Sequence, residues 1–321
     1  MTIRFDHIRD DLKLDASESV FFERQLLAIR TRIFEKRFHE LKARSFLPPQ
    51  DDINIGATHF TYQYVEYYGN AVLGSDLANA GPRADFKRIE ATPIPFYDVT
   101  DSYGYNVQEI RASMMARVDL PGGKATAARK AIEQFNDNLL LLADGTWPNY
   151  LGCYGLFKLP NTHTYTPATG GGGLLTFASK TPDEVIADLH GICNGIVTNS
   201  GEIENPDTLI LPLTSFVDIA TRRMGDGTSD TILAFFEKVR GRLRPGFRVE
   251  NSNKLETAGS GSTKRMVAYE KSIDKVARLE PIEFEQFAPQ VHGFQTITNC
   301  HARTAGVYTP FPKSISYADG I

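Results

Sequence analysis

Between Thr58 and Val99 the chain carries two extended, aromatic-rich runs separated by a long stretch of small and polar residues. Few folds have room for such a segment. In the first run Phe60, Tyr62 and Tyr64 alternate with Thr61, Gln63 and Val65, the period-two pattern of a strand rich in β-formers. The alternation fades at Gly69, and Gly74, Ser75, Asp76, Gly81 and Pro82 follow. The second run, Ile89 to Val99, contains Pro93 and Pro95, which place it at a sheet edge or outside a sheet. Together the runs predict a long two-stranded arm projecting from the body. An isolated hairpin is only marginally stable in water, so the arm needs something to cover it. Tyr62, Tyr64, Tyr67 and Tyr68 lack the interleaved Lys/Arg of a base-stacking platform, and cross-strand aromatic pairing accounts for them more simply.

Helical periodicity flanks this arm. Asp15 with Glu18 reads as a helix start, and Phe22, Leu26, Ile29 and Ile33 step by four, three and four along a helix predicted to reach Ala43. Arg24, Arg30, Arg32, Lys36, Arg37, Lys42 and Arg44 face only Glu35 and Glu40 there, an excess of five positive charges. That is either a solvated helix face or a surface turned towards nucleic acid. Leu47-Pro48-Pro49 ends the segment. A short helix is predicted over 107–117 and a long one over Lys124 to Ala143, where Ala128, Ile132, Phe135, Leu139 and Leu142 form one stripe. Gly122-Gly123 is read as preceding that helix and Gly145 as its C′ residue.

Beyond Gly145 the pattern is mixed α/β. Thr181-Pro182-Asp183 opens a helix to about Val197. Leu209 to Leu213 reads as a buried strand, 215–222 and 231–240 as helices, 251–264 as a polar loop, Met266 to Tyr269 as a strand, and Phe294 to Tyr308 as two more.

Composition narrows the function classes. The 321 residues are 41% hydrophobic and 23% charged, which suits a folded domain with a substantial core. A net charge of −4 gives no global pull towards nucleic acid, so any such contact is local. No apolar run is long enough to span a bilayer, and the N-terminus lacks a signal-peptide core, so no membrane contact and cytoplasmic folding are expected. Cys153, Cys193 and Cys300 are widely spaced and read as buried thiols.

Motifs for chemistry are sparse. Gly170 to Gly173 lacks the Gly-Lys-Ser/Thr ending of a phosphate loop. The seven histidines form no i, i+4 pair, and Cys300-His301 lies in a predicted strand where neighbours point to opposite faces. Met224-Gly225-Asp226-Gly227 with Asp230 has too few acids for a calcium loop. No catalytic, cofactor-binding or metal-ligating residue is assigned.

The order of these elements, and the segments LKARSFLP (41–48), DSYGYNVQEIRASMM (101–115), ARKAIEQFNDNLLLLAD (128–144), GLFKLPN (155–161), NPDTLILPLTSFVDIATRRMGDG (205–227), RMVAYEKSIDKVARLEPIEFEQFAPQ (265–290) and CHARTAGVYTPFPKSISYADGI (300–321), resemble a tailed-bacteriophage major capsid family, formerly catalogued as a domain of unknown function. The resemblance implies the α+β Hong Kong 97-type fold. In this chain it implies an N-terminal arm over 1–50 and a peripheral domain over 51–145, with an extended E-loop at 62–98 and a spine helix at 124–144. An axial domain over 146–278 and peripheral return strands over 279–321 complete it. No scaffolding segment is visible before the arm.

The implied function is structural rather than enzymatic. Subunits would self-assemble into hexamers and pentamers of an icosahedral shell around double-stranded DNA, built in a bacterial cytoplasm and residing in the virion. Partners would be further copies, a portal, a scaffold or cement protein where one is used, and packaged DNA through nonspecific contacts. The expected inter-subunit residues are Tyr67, Tyr68, Val72, Leu73, Arg83, Phe86 and Arg88 in the arm and Phe22, Leu26 and Ile29 in the N-terminal helix; Arg30, Arg37, Lys42 and Arg44 are the candidates to face DNA. Two alternatives stand beside this: an encapsulin-like nanocompartment shell, and a soluble α/β enzyme with an unrecognised site.

Overall fold

The computed structural model describes residues 39–73, 82–116, 119–147, 149–225 and 229–321, and its larger compact unit runs from Leu41 to Ile321. Most of the predicted N-terminal helix lies outside the described residues. The part that is described ends in a single helical turn, Ala43–Phe46.

The long helix organises everything else. It spans Leu120–Leu142 and starts earlier than its apolar stripe suggests. The Asp119 side chain accepts a hydrogen bond from Gly122 N, and Pro121, which has no N–H to leave unpaired, fits the first turn. Gly122 and Gly123 therefore lie inside the helix. At the other end Ala143 is already extended, so Gly145 is not the C′ residue. Its φ of +79° serves the following turn, where a Cβ would stand 2.4 Å from the Tyr154 ring.

Two sheets use different stretches of this helix. Towards its N-terminus, Ala128 and Ile132 pack with Val99, Cys300 and Ala302. These come from a sheet in which Tyr97–Asn106 pairs along all ten residues with Gln295–Thr304, whose other edge carries Ile282–Gln286 and Gln290–His292. Further along, Leu140 and Leu141 pack under a second sheet with Ala43, Phe46, Leu47, Leu156 and Phe157.

The second sheet has five strands in the order His163–Thr164, Ile315–Asp319, Arg265–Tyr269, Thr208–Pro212, Arg248–Ser252, with parallel pairing only at its two outer ladders. Three helices, Pro182–Ser200, Leu213–Thr221 and Ile232–Leu243, pack on it; Leu189, Ile192, Ile219 and Phe236 meet Leu209, Leu211, Met266 and Ala318. Burial on both faces explains why Thr208–Pro212 reads as one continuous apolar run. The first of these helices has the full capping box, Thr181 with Glu184, and ends at Gly201 in the left-handed region, φ +66°.

Two further expectations change. Residues 279–321 do not all return to the first sheet, because Ile315–Asp319 inserts into the five-stranded one. Arg265 holds it there: its guanidinium donates to both Asp319 oxygens, at 2.6 and 2.8 Å, and lies 4.6 Å from the Tyr317 ring centre. Residues 251–264 are also not one open loop; Asn251 and Ser252 end a strand, and two short 3-10 turns follow.

A polar clasp binds the layers. Asp137, buried on the long helix, accepts from Ala43 N at 2.8 Å and pairs with Lys254. Removing the carboxylate strands a largely buried ammonium and a buried N–H. Asp137→Ala is therefore expected to destabilise the subunit by roughly 3–5 kcal/mol, measurable by urea unfolding, whereas a cost near zero would mean the clasp is solvated.

Acidification should also weaken the subunit. Burial holds His163 and His190 below the ordinary imidazole value of 6.5, with the Arg240 charge adding to the effect at His190. Below that value the unfolded chain takes up protons that the folded chain resists. The stability these rings confer is complete above pH 6.5 and falls as pH drops through their depressed values. Thermal midpoints measured from pH 8 towards 5 should fall less steeply in a His163→Gln/His190→Gln variant.

Candidate assembly surfaces

The arm is a self-contained ribbon. Gln63–Tyr68 pairs with Asp85–Glu90 from Gln63↔Glu90 to Tyr68↔Asp85, and these two strands form a sheet of their own. At its root His59–Phe60 pairs with Ile94–Pro95, which leaves Pro95 in a two-stranded edge where its missing N–H costs little. Phe60 and Tyr62 anchor that root against Tyr308, at ring separations of 4.8 and 5.8 Å. Extended chain rises about 3.3 Å per residue, so the six-residue strands carry the arm on the order of 20 Å from the root.

All arm residues singled out from sequence are exposed: Tyr67, Tyr68, Val72, Leu73, Arg83, Phe86 and Arg88. Tyr67 is 82% exposed and Leu73 fully so, values that a monomer with ordinary burial does not give to large apolar side chains clustered together. Phe22, Leu26, Ile29, Arg30 and Arg37 lie outside the described residues. Lys42 and Arg44 have partners inside the chain. Lys42 Nζ donates to Asn251 O and Oδ1, at 3.1 and 2.9 Å, and Arg44 reaches Glu280 and Glu283 at 3.4 Å. Both side chains thus have partners within the chain, which the helical charge count could not reveal.

Sequence reading missed other exposed apolar groups. Helix Val107–Ala116 buries none of its residues, and Met114 and Met115 stand out from it. At the neighbouring hairpin tip Val291 and Phe294 are exposed, with Val107 N donating to Phe294 O at 3.2 Å. The signal was available in the tandem methionines of a short helix with weak amphipathicity, but periodicity alone does not distinguish that from a solvated helix.

One polar cleft, about 700 Å³, is lined by Thr100, Asp101, Ser102, Phe287, Gln290, Asn299, Cys300 and His301. His301 Nε2 meets Asp98 at 3.1 Å, while its Nδ1 is buried without a hydrogen-bond partner. Among the described residues no group of three His, Cys, Asp or Glu side chains is placed to hold a metal ion, and no helix is long and apolar enough to cross a membrane. Burial pushes the Cys153 thiol up to about 12 and the Cys193 thiol up to about 11. All three thiols are expected to stay silent towards Ellman's reagent until denaturant is added; rapid labelling of the folded protein would overturn the packing around Cys153.

Among the described residues the site is thus an exposed ribbon, two sheets on one long helix, and apolar groups at the periphery. The family model described as major capsid protein matches residues 69–321. The chain belongs to this family. Searching curated proteins by sequence finds no match. Among solved structures the capsid subunit is similar to the capsid of Myoviridae phage XM1, with a TM-score of 0.80 at 15% identity over 94% of this chain and 99% of that one. It also resembles a chain from Mycobacterium phage Adephagia, TM-score 0.56 at 14% identity over 99% and 98%. A virus-like particle from Pyrococcus furiosus gives 0.51 at 11% identity over 86% and 91%. At these identities the shared property is the Hong Kong 97-type fold.

Proposed function

We propose that copies of this subunit assemble into hexamers and pentamers of an icosahedral phage shell around double-stranded DNA, without catalytic activity, in the cytoplasm of a bacterial host. The observation that carries the reading is the exposed arm, whose strands among the described residues form a ladder with each other alone while its aromatic side chains are exposed. Laying each arm over an adjacent copy removes that apolar surface from water, and several modest contacts per subunit make a closed shell hard to leave. The sheet on the N-terminal half of the long helix takes the peripheral place in this scheme and the five-stranded sheet the axial place. The basic residues of the N-terminal segment, Arg30 and Arg37 among them, would meet DNA phosphates nonspecifically, with a portal and, where used, a scaffold or cement protein as further partners. Family membership and the phage XM1 likeness favour the phage shell over a cargo compartment. Expression of the chain, size-exclusion chromatography and negative-stain microscopy test the proposal: closed particles are expected, and a homogeneous monomer under every assembly condition would sink it.

A further inference from the structure

On the long helix, Asn136 is only 2% exposed, yet neither its Oδ1 nor its Nδ2 has a hydrogen-bond partner. A buried amide left unpaired costs stability, and an entering group that bonds it recovers the loss. Asn136 borders a cavity of about 150 Å³, far more than one water needs. Glu133, Asp137 and Leu140, which share a helical face with Asn136, form one wall. Leu41, Ala43 and Arg44 form the other. Leu41 and Arg44 are exposed and mark the mouth, whereas Ala43, Asn136, Asp137 and Leu140 are buried and mark the floor. No hydrogen bond holds the Asn136 amide, so it can turn into the cavity without breaking one.

The charges around the cavity decide what can enter. Arg44 reaches Glu280 and Glu283, Glu133 accepts from Arg129 at 2.8 Å, and Asp137 holds Ala43 N and Lys254. Each charged wall residue thus has its counter-charge, and a charged entrant would be desolvated without one of its own. Asn136 instead offers a donor and an acceptor side by side. A second carboxamide matches it with two antiparallel N–H···O bonds, whichever way either amide is turned. Leu41, Ala43 and Leu140 give the carbons behind that group an apolar contact.

We propose that this cavity binds the side-chain carboxamide of an asparagine or glutamine in a peptide segment of another protein. A free amino acid fits less well, because it brings an ammonium and a carboxylate to walls whose charges are already matched. The site is independent of the shell reading; it needs only the packing of the long helix against residues 41–44.

Saturation-transfer difference NMR on the full chain tests it with three blocked amino acids: N-acetylglutamine methylamide and its glutamate and alanine counterparts. The glutamine probe should bind with a dissociation constant on the order of 1 mM, the range of so small a ligand, and give at least about five times the signal of the other two. Equal signal from the alanine probe would show that the side-chain amide is not what is recognised. Equal signal from the glutamate probe would show that charge is tolerated, and either result overturns the proposal. No signal from the glutamine probe leaves the cavity to water and overturns it too. Two variants locate the binding. Leu41→Trp bulks an exposed residue at the mouth, so the thermal midpoint should hold while the signal disappears. Asn136→Leu should also abolish the signal, and its midpoint should hold or rise because nothing in the subunit bonds the amide. Binding that survives either substitution lies elsewhere and contradicts the proposal. A fall in the midpoint of Asn136→Leu would show that the amide is already bonded within the subunit, which removes the vacancy the proposal needs.

Discussion

Deleting residues 70–85 is expected to leave a subunit that folds and melts almost normally yet forms no shells. The described residues of that stretch, 70–73 and 82–85, are all exposed, and among the described residues the arm meets the core through its root, Phe60, Tyr62 and Ile94, which pack with Phe96, Ala277, Leu279 and Tyr308. Beyond the root its strands bond only to each other. Losing them should change stability by less than about 1 kcal/mol, a shift of roughly 2–4 °C in Tm for a chain of this size. Assembly responds differently. Each subunit loses its reach to the next copy, and avidity built from several linked contacts collapses when one of every set is removed. Thermal melts with size-exclusion chromatography and microscopy separate the two effects. Particles of normal yield from the deletion would show that the arm has no part in assembly, and a large drop in Tm would show that it folds into the body.

Leu139→Asp should have the opposite signature, with no folded subunit at all. Leu139 is completely buried against Ala143 and Cys153 and is ringed by Tyr97, Phe135, Trp147 and Tyr150. None of these offers a cation, so the new carboxylate would be desolvated without a counter-charge, and the leucine's packing would be lost as well. A cost of at least about 5 kcal/mol is expected, which reaches the lower end of the whole stability of an ordinary domain. Soluble yield and circular dichroism give the readout; recovery of soluble, assembled Leu139→Asp protein would mean that this helix face is solvated. Compared with Asp137→Ala, the contrast is instructive. One change removes a charge that the fold has already paired, and the other adds a charge that the fold has no means to pair.

Much of the candidate site was legible in the sequence because an exposed ribbon is a local object. Alternation from Phe60 to Val65, the fade at Gly69 and the prolines at 93 and 95 foretold a hairpin, and its exposure followed from its having nothing nearby to pack on. The cross-strand pairing of that hairpin was not legible, because it depends on register: one step of slip would have placed Tyr68 rather than Tyr67 opposite Phe86. The long helix shows the same division. Its stripe through Ala128, Ile132 and Leu139 was visible in the spacing. The burial of Asn136 and Asp137 was not, since a second layer, residues 43–47 with the five-stranded sheet, covers the helix from another side.

What the sequence by itself determined is therefore the set of local units: the arm, the capped helix at Thr181, the long apolar stripe and the continuous apolar strand at Thr208–Pro212. Each follows from neighbours a few residues apart, through periodicity, capping or turn chemistry. Only the tertiary structure decided that Ile315–Asp319 lies between His163–Thr164 and Arg265–Tyr269, that Asp137 answers Ala43 and Lys254, and that Lys42 and Arg44 meet Asn251 and Glu280. The physical reason is that a strand or a charge advertises the kind of partner it needs. Which of several distant candidates it meets is set by how the whole chain packs.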